Sequence, residues 1–224
     1  MSAETSTQNI LASSSDKKFL IVQSEPWMAS QLEAIQRASF PELAFEELMH
    51  ADHYKAHMQV FPAGQHAVLE RATNKVIAAS SDLKLEFDPH HYQHKYIEAV
   101  GHNYFTTHQE NANWLYGADI GVLPEFRGFG LSKLLYTARQ DMVRRLGLQG
   151  HFAGAMPKGF AAHSSKMSIE QYVQDVVRGE LNDPVLSIQL RRGYAVWGII
   201  PDYLEDASCA NYGVQIVWRN PDVR

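Results

Sequence analysis

The chain has 224 residues, of which 45% are hydrophobic and 20% charged, and its formal net charge is −5. These values are typical of a soluble globular chain that forms one sizeable domain, and an acidic chain without a basic tract is not expected to bind nucleic acid. The single cysteine, Cys209, excludes an internal disulfide and favours a reducing cytoplasm, and no apolar run approaches the roughly 20 residues that cross a bilayer.

The first residues differ in character from the rest. Residues 1–17 are polar and lack the basic and then apolar order of a secretion signal, so we expect a flexible leader. Residues 18–224 contain no repeat and no linker, which predicts a single domain.

Strand and helix patterns alternate in the first half of this domain. Apolar runs predict strands over 19–23, 67–69 and 76–85, and helical spacing predicts helices over 26–40 and within 44–60. Residues 87–113 are polar and rich in histidine, and their lack of periodicity permits no prediction.

The second half shows clearer patterns. Strands are predicted over 114–123, 151–156, 194–200 and 212–218, and helices over 131–146, 168–181 and just after Asp183. Ser168 and Gln171 form a capping-box pattern, and Pro124 ends the strand that precedes the longest helix. The order of elements predicts a mixed α/β fold.

A glycine-rich loop, RGFGLS over 127–132, joins a predicted strand to a predicted helix. Backbone N–H groups at such a helix start have no partner within the helix and bind anions, although the same loop could be a turn without a ligand. A dinucleotide fingerprint would need glycine where Lys133 stands, and the P-loop pattern is absent.

The segment VLPEFRGFGLS (122–132) resembles the acetyl-CoA pyrophosphate loop of the GNAT superfamily of N-acetyltransferases, with Ser132 where Gly or Ala is usual. TTH (106–108) and the segments 115–139 and 167–206 are similar to the GNAT domain found fused to carbon-nitrogen hydrolase (nitrilase-like) domains. The resemblance implies an α/β fold of the α+β type. Its central sheet would be mixed, mostly antiparallel and twisted, with a splayed pair of parallel strands and helices on both faces.

The resemblance also implies acetyl-CoA as co-substrate, without a metal. The pantetheine arm would pair with the backbone of one strand, and the pyrophosphate would lie on the loop. The residues implied are Ile120, Gly121, Val122, Leu123, Arg127, Gly128, Phe129, Gly130, Leu131 and Ser132.

Direct transfer to an amine needs a base and a proton donor for the leaving thiolate. Many GNAT enzymes use a tyrosine as the acid, but Gln189 stands at the matching position. Asp119, expected on the same strand face as Gly117 and Gly121, is the candidate base, or else a structural carboxylate. Tyr203 is the candidate acid.

Two residues are candidates for binding the acceptor. His108 of the TTH segment would either line the acceptor pocket or order a loop. Glu205 would form part of a negative rim that attracts a cationic amine, or it would belong to a solvated loop. The histidines at 50, 53 and 57 and at 90, 91 and 94 lack cysteine and acidic partners at motif spacing, so no metal site is predicted.

The sequence therefore favours an N-acetyltransferase that transfers an acetyl group to a primary amine of a small molecule or protein. Gln189 leaves a second hypothesis open, a non-catalytic acyl-CoA-binding module that acts as a sensor or as partner of a separate hydrolase. A nucleotide-phosphate binder is a third hypothesis. The sequence is compatible with a homodimer and does not identify the acceptor.

Overall fold

The computed structural model describes residues 9–223 as a single eight-stranded sheet with helices on both faces. The strands are β1 (Ile10–Ser13), β2 (Phe19–Gln23), β3 (Gln65–Glu70), β4 (Lys75–Leu85), β5 (Trp114–Val122), β6 (Gly150–Ala155), β7 (Ala195–Ile200) and β8 (Gly213–Arg219). The helices are α1 (Ala29–Ser39), α2 (Ala51–Val60), α3 (Tyr96–Ala99), α4 (Leu131–Arg145), α5 (Ile169–Arg178) and α6 (Leu186–Arg191).

The strand order is β1-β2-β3-β4-β5-β6-β8-β7. Neighbouring strands are antiparallel except β5 and β6, which are parallel. The structure thus confirms the mixed, mostly antiparallel sheet with one parallel pair that the GNAT resemblance implied.

Alternating side chains of β2 explain why both faces are covered. Phe19 and Ile21 pack with Leu135 of α4, whereas Leu20 and Val22 pack on the opposite face, in the cluster that contains α1. A strand buried on both faces reads as a continuous apolar run, as FLIVQ does.

The helix ends follow local chemistry. The Ser168 hydroxyl accepts the N–H of Gln171 at 3.3 Å at the start of α5, as the capping-box pattern predicts, and Gly179 ends α5 with φ 77°. Asp183 accepts the N–H groups of Val185 and Leu186 at 2.8 and 2.7 Å at the start of α6.

Two segments differ from the expectation. Residues 10–13, inside the expected leader, form β1 and pair with β2, because a short apolar segment can extend an open sheet edge. The rest of the leader, residues 1–8, lies outside the described residues. The segment without a pattern contains α3 and then an irregular turn in which His102, Asn103 and Phe105 have positive φ.

Candidate functional site

A cleft opens where the two parallel strands diverge. β5 and β6 pair only through Trp114–Tyr116 and Gly150–Phe152, and the cleft between the remaining residues holds about 970 Å³ of space, part of it open solvent. Its walls also include the end of α1, the start of α4 and the segments 184–189 and 203–204. Strand edges that face a gap carry backbone polar groups that a ligand can pair with.

The glycine-rich loop lies at the start of α4. Gly128 and Gly130 have φ of 86° and 76°, which glycine adopts without strain, and both are exposed. Gly130 is the N-cap of α4 and offers no side chain, so the first N–H groups of the helix remain for another acceptor. The guanidinium of Arg127 reaches the carbonyl groups of Val122 at 3.4 Å and Ala38 at 3.5 Å. The loop therefore presents N–H groups and a positive charge together.

The predicted cofactor residues play different parts. Ile120, Val122 and Ser132 line the cleft. Leu131 is buried in the core beneath the loop, and Gly121 lies against α1, where an added Cβ would come within 2.8 Å of Ser39.

The remaining two predicted cofactor residues are Leu123 and Phe129. Leu123 donates its N–H to the carbonyl oxygen of Ile77 at 3.0 Å. The exposed ring of Phe129 packs edge-to-face with the ring of Phe19, with the ring centroids 5.9 Å apart. Leu131, Gly121 and Leu123 therefore fix the backbone rather than offer side chains to the cleft.

A β-bulge shapes the middle of β5. Ser81 pairs with Asp119 but Asp82 pairs with Gly117, so Ala118 is an extra residue. The bulge shifts the alternation by one position. Asp119 shares a face with Gly121, toward α1 and α2, whereas Gly117 lies against His151 on the other face. The expectation that all three share one face is therefore wrong.

Asp119 lines the cleft and is 6% exposed. The hydroxyl of Tyr54, on α2, donates to Oδ2 of Asp119 at 2.9 Å. Burial raises the pKa of Asp119 to about 6, although the Tyr54 bond and the charge of Arg139 oppose this. Asp119 is therefore a carboxylate near neutral pH that takes up a proton more readily than an exposed aspartate.

Arg139 of α4 holds the bulge from the opposite face. Its guanidinium pairs with the carboxylate of Asp82 at 2.9 Å and donates to the carbonyl of Ser81 at 3.2 Å and to the carbonyl of Asp119. These bonds satisfy carbonyl groups that the interrupted ladder leaves without a strand partner.

Tyr203 also lines the cleft and is 2% exposed. Its ring lies against Gly154 and Gly213, where an added Cβ would come within 2.2 and 2.6 Å of the ring. Its hydroxyl is 2.9 Å from that of Tyr116, and burial raises the pKa of Tyr203 well above its usual value.

The two predicted acceptor residues do not line this cleft. His108 stacks on Phe61 and accepts the N–H of Lys84 at 3.1 Å, so it orders the turn before β5, the second of the roles considered for it. The expectation that His108 binds substrate is not supported by its position.

Glu205 is exposed and belongs to the rim of the cleft. Its N–H donates to the carboxylate of Glu47 at 2.8 Å, while its neighbours Tyr203 and Leu204 line the cleft. Burial raises the pKa of Glu47, and the charges of Glu205 and Asp206 add to this rise. Lys158 pairs with Asp206 at 3.7 Å, and Glu47 and Glu205 leave the rim with an excess of negative charge.

Gln189 of α6 lines the cleft and is 5% exposed. Its side chain hydrogen bonds to Tyr136, and its Oε1 has no partner among residues 9–223. An amide at this position can accept or donate a hydrogen bond but cannot protonate a thiolate.

Sequence reasoning missed Gln36, Phe40 and Tyr96, which line the cleft, and Tyr54 of α2, which supports Asp119 from behind. Tyr54 lies 65 residues before its partner Asp119, and the sequence carries no pattern that joins them.

Within the described part of the chain, no group of three or more His, Cys, Asp or Glu side chains is placed to hold a metal ion. His57 stacks on Phe105 at 3.6 Å, and His91 pairs with Asp88. Across residues 9–223, no helix has the length and apolar character needed to cross a membrane.

Comparison with known sequences identifies two relatives. The chain is 30% identical over 191 residues to the uncharacterized N-acetyltransferase YkwB of Bacillus subtilis, which covers 85% of this chain and 84% of YkwB. It is 29% identical over 208 residues to the probable hydrolase YhcX of the same organism, which covers 92% of this chain and 40% of YhcX. The chain thus spans less than half the length of YhcX. No family model matches the chain.

Comparison with solved structures shows the fold. The GNAT-like decarboxylase GphF in complex with isobutyryl-CoA has a TM-score of 0.72 at 19% identity and covers 89% of this chain and 98% of its own. The loading GNATL domain of CurA from Lyngbya majuscula has a TM-score of 0.66 at 18% identity, with coverage of 90% and 98%. The protein yncA of Salmonella typhimurium, solved with its cofactor acetyl-CoA, has a TM-score of 0.58 at 13% identity, with coverage of 92% and 95%.

Proposed function

Because the chain belongs to the GNAT superfamily of N-acetyltransferases and is an acyltransferase, we propose that it transfers an acetyl group from acetyl-CoA directly to a primary amine. One observation carries this proposal. The cleft between β5 and β6 has at one end the glycine-rich loop, with helix N–H groups that no side chain caps, and a buried carboxylate, Asp119, in its wall. Binding and proton acceptance are thereby combined in one space.

The loop is the proposed site for the pyrophosphate of acetyl-CoA. The N–H groups at the start of α4 and the guanidinium of Arg127 provide donors and charge for it. The pantetheine arm would follow the unpaired edge of β5 at residues 120–123. GphF and yncA, solved with isobutyryl-CoA and acetyl-CoA, support a CoA thioester as the donor.

The chemistry is proposed to occur beside the bulge of β5. N–H groups of a strand edge can stabilise the negative charge that develops on a thioester carbonyl during attack. Asp119 would hold the ammonium group of the acceptor and accept one of its protons. No covalent intermediate on the protein is needed.

The acceptor is proposed to be a cationic primary amine of a small molecule or protein. The acceptor end of the cleft is walled by Phe40, Tyr96 and Tyr203, and the carboxylates of Glu47 and Glu205 lie at its rim. Aromatic rings and carboxylates together favour an ammonium group.

Binding is tested with two loop variants. Gly130→Val forces a side chain into the positive-φ position at the helix start, and Arg127→Glu reverses the charge, so each is expected to weaken acetyl-CoA binding at least tenfold by calorimetry. Gly179→Val is the matched control, because Gly179 has φ 77° and open space around it, as Gly130 has. Equal affinity in all three variants would contradict the assignment of the loop.

Turnover is tested by thiol release from acetyl-CoA in the presence of a panel of primary amines. Release with at least one amine is expected. Gln189 favours one alternative, an acyl-CoA-binding module without turnover, which acts as a sensor or as partner of a separate hydrolase. Tight acetyl-CoA binding without thiol release for any amine would support that alternative and overturn the proposed transferase activity.

A further inference from the structure

A second cavity lies beside the irregular segment that precedes β5. It holds about 670 Å³ of space, part of it open solvent, and is lined in part by Glu86, Asp88, His91, His94, Thr107 and Tyr116. Glu86, Asp88 and His91 are exposed, so the cavity communicates with solvent. None of its lining residues has a part in the proposed transfer reaction.

A chain of hydrogen bonds joins this second cavity to the cleft. Nδ1 of His94 is 2.7 Å from the carbonyl oxygen of Tyr92, and Nε2 of His94 is 3.0 Å from the hydroxyl of Tyr116. The hydroxyl of Tyr116 is in turn 2.9 Å from that of Tyr203, which lines the cleft. Tyr116 is fully buried, so it spans the wall between the two spaces.

The direction of each bond follows from the acceptor at one end. A carbonyl oxygen can only accept, so Nδ1 of His94 carries a hydrogen. In the neutral ring Nε2 is then an acceptor, so Tyr116 donates to His94, and Tyr203 donates to Tyr116. The hydroxyl hydrogen of Tyr203 therefore points out of the cleft, and its oxygen, which accepts the N–H of Gly154, keeps a second acceptor position for a donor inside the cleft.

We propose that Tyr203, Tyr116 and His94 form a proton relay that carries a proton from the acceptor amine in the cleft to the second cavity. The proposal rests on the proposed acetyl transfer and adds to it a route for the proton. Tyr203 is the end that meets the substrate, and Tyr116 and His94 act through it.

The transfer reaction releases a proton that such a route would carry. Transfer of an acetyl group from a thioester to an ammonium breaks two N–H bonds, and one of these protons ends on the thiol of CoA. The other must leave the protein. Asp119 would accept the proton that passes to the leaving thiolate, and it offers no route for the other, because its side-chain partner Tyr54 has no further side-chain hydrogen bond among the described residues.

The relay moves one proton in net terms, through three successive hydrogen transfers. An N–H bond of the acceptor breaks as an O–H bond forms at Tyr203, and the electron pair stays on nitrogen for attack on the thioester. The former hydrogen of Tyr203 passes to Tyr116, and that of Tyr116 passes to Nε2 of His94. In the resulting imidazolium the Nε2 hydrogen faces Tyr116 and the Nδ1 hydrogen faces the carbonyl oxygen of Tyr92. The proton leaves from Nδ1 to water in the second cavity, which Tyr92 and His94 line, and rotation of the ring and of the two hydroxyl groups restores the resting state.

The groups around His94 bear on its charge. Glu98 of α3 interacts favourably with the imidazolium, while burial of the ring lowers the pKa of His94. The carboxylates of Asp88 and Glu86 and the side chain of His91 face the second cavity, and Tyr116 and Tyr203 face His94 from β5 and from the loop after β7. His94 is thus neutral at rest, as the relay requires.

Turnover of acetyl-CoA with an amine accepted by the wild type tests the relay. Tyr116→Phe and His94→Ala are expected to lower kcat at least tenfold with little change in the KM for acetyl-CoA. Added imidazole should restore much of the rate of His94→Ala through the second cavity, but none of that of Tyr116→Phe. His90 is an exposed histidine of the same segment, and the control variant His90→Gln should keep the wild-type rate.

Full kcat in both variants, or a loss in His94→Ala that imidazole does not restore, would overturn the relay and leave the proposed transfer intact. A second measurement needs no acceptor. Nitrogen-15 spectra of the histidine rings should show His94 with hydrogen on Nδ1, and the Nε2 signal should shift in Tyr116→Phe. Hydrogen on Nε2 would overturn the relay, and this measurement does not depend on turnover. Absence of thiol release with every amine would instead overturn the transferase proposal.

Discussion

Asp119 shows at the scale of one residue how a proton acceptor lowers the stability of the protein that contains it. Its pKa of about 6 lies two units above the ordinary 3.8 of an aspartate. Two units correspond to about 3 kcal/mol of unfavourable free energy for the buried carboxylate. Because the folded-state pKa is raised, this cost is absent below about pH 4, develops between about pH 4 and 6, and is complete above that range.

We therefore expect Asp119→Asn to lose turnover and gain stability. An amide keeps an oxygen for the hydroxyl of Tyr54 and carries no buried charge, so the free energy of unfolding at pH 7 should rise by about 1–3 kcal/mol. Urea denaturation at pH 7 and pH 4 measures this, and the gain should vanish at the lower pH.

The exposed Asp141 of α4 supplies the control, since Asp141→Asn should change neither turnover nor stability by much. A lower stability of Asp119→Asn at pH 7 than of the wild type would contradict the account of its burial. In the wild type, kcat should rise with pH through about 6 as Asp119 loses its proton.

The sequence predicts Asp119 as the candidate base, because a carboxylate within an apolar strand is unusual. It does not predict Tyr54, since a tyrosine in an amphipathic helix is expected to be a core residue. It also leaves the role of His108 open, and the ring nitrogen of His108 accepts a backbone N–H of β4. Such a long-range partner leaves no periodic signal in the sequence.

At the scale of secondary-structure elements, the bulge of β5 depends on a residue of α4. Arg139 is 2% exposed, and its charge is paired with Asp82, which is fully buried. A charge that loses its partner in such a place is strongly unfavourable.

We expect Arg139→Met to lower the free energy of unfolding by about 3–5 kcal/mol, because among residues 9–223 the carboxylate of Asp82 then keeps only His151 as a hydrogen-bond partner. The double variant with Asp82→Asn should recover part of this loss in urea denaturation. The charge of Arg139 lowers the pKa of Asp119 and that of Asp82 raises it, so the pH at which activity rises should move upward in Arg139→Met and by less in the double variant.

Stability equal to the wild type in Arg139→Met would show that the pair contributes little. An unchanged pH dependence of activity in Arg139→Met would show that Arg139 does not influence Asp119 across the bulge.

Elements with strong periodicity were predicted within a few residues, as α4 and β5 illustrate. β1 was not predicted, because its four exposed residues have no buried face to produce a pattern. The bulge was not predicted either, since the single extra residue, Ala118, has no distinctive chemistry and the register becomes visible only against β4.

At the scale of the whole molecule, the net charge of −5 has a local counterpart in the negative rim of the cleft. Glu47, Glu205 and Asp206 lie close enough for the charges of the other two to raise the pKa of Glu47. A field of this sign concentrates cationic acceptors and falls off with added salt.

We expect kcat/KM for a cationic amine, measured at saturating acetyl-CoA, to fall as ionic strength rises, and to fall more steeply for a diamine. The double variant Glu47→Gln and Glu205→Gln should lower kcat/KM at low salt and flatten the salt dependence. Glu180 is exposed and lies between α5 and α6, so Glu180→Gln serves as control. A salt dependence unchanged by the double variant would exclude the rim from acceptor capture.

The overall fold was predicted because one loop motif resembles a known family and the surrounding patterns agree with it. The acceptor end of the cleft was not, because the end of α1, the start of α3 and residues 203–204 build it from positions that are distant in sequence. Residues 87–113 are held by irregular contacts such as the stacking of His57 on Phe105, which follow no period.

The short pairing between β5 and β6 has a mechanical consequence. Strands β1 to β5 form one plate and β6 to β8 another, and three residue pairs make the seam between them, with α4 packed across it. A molecule that lies in the cleft and pairs with the facing edges of β5 and β6 takes the place of a missing strand. Occupancy of the cleft would then stiffen the whole sheet, and each departure of product would loosen it again.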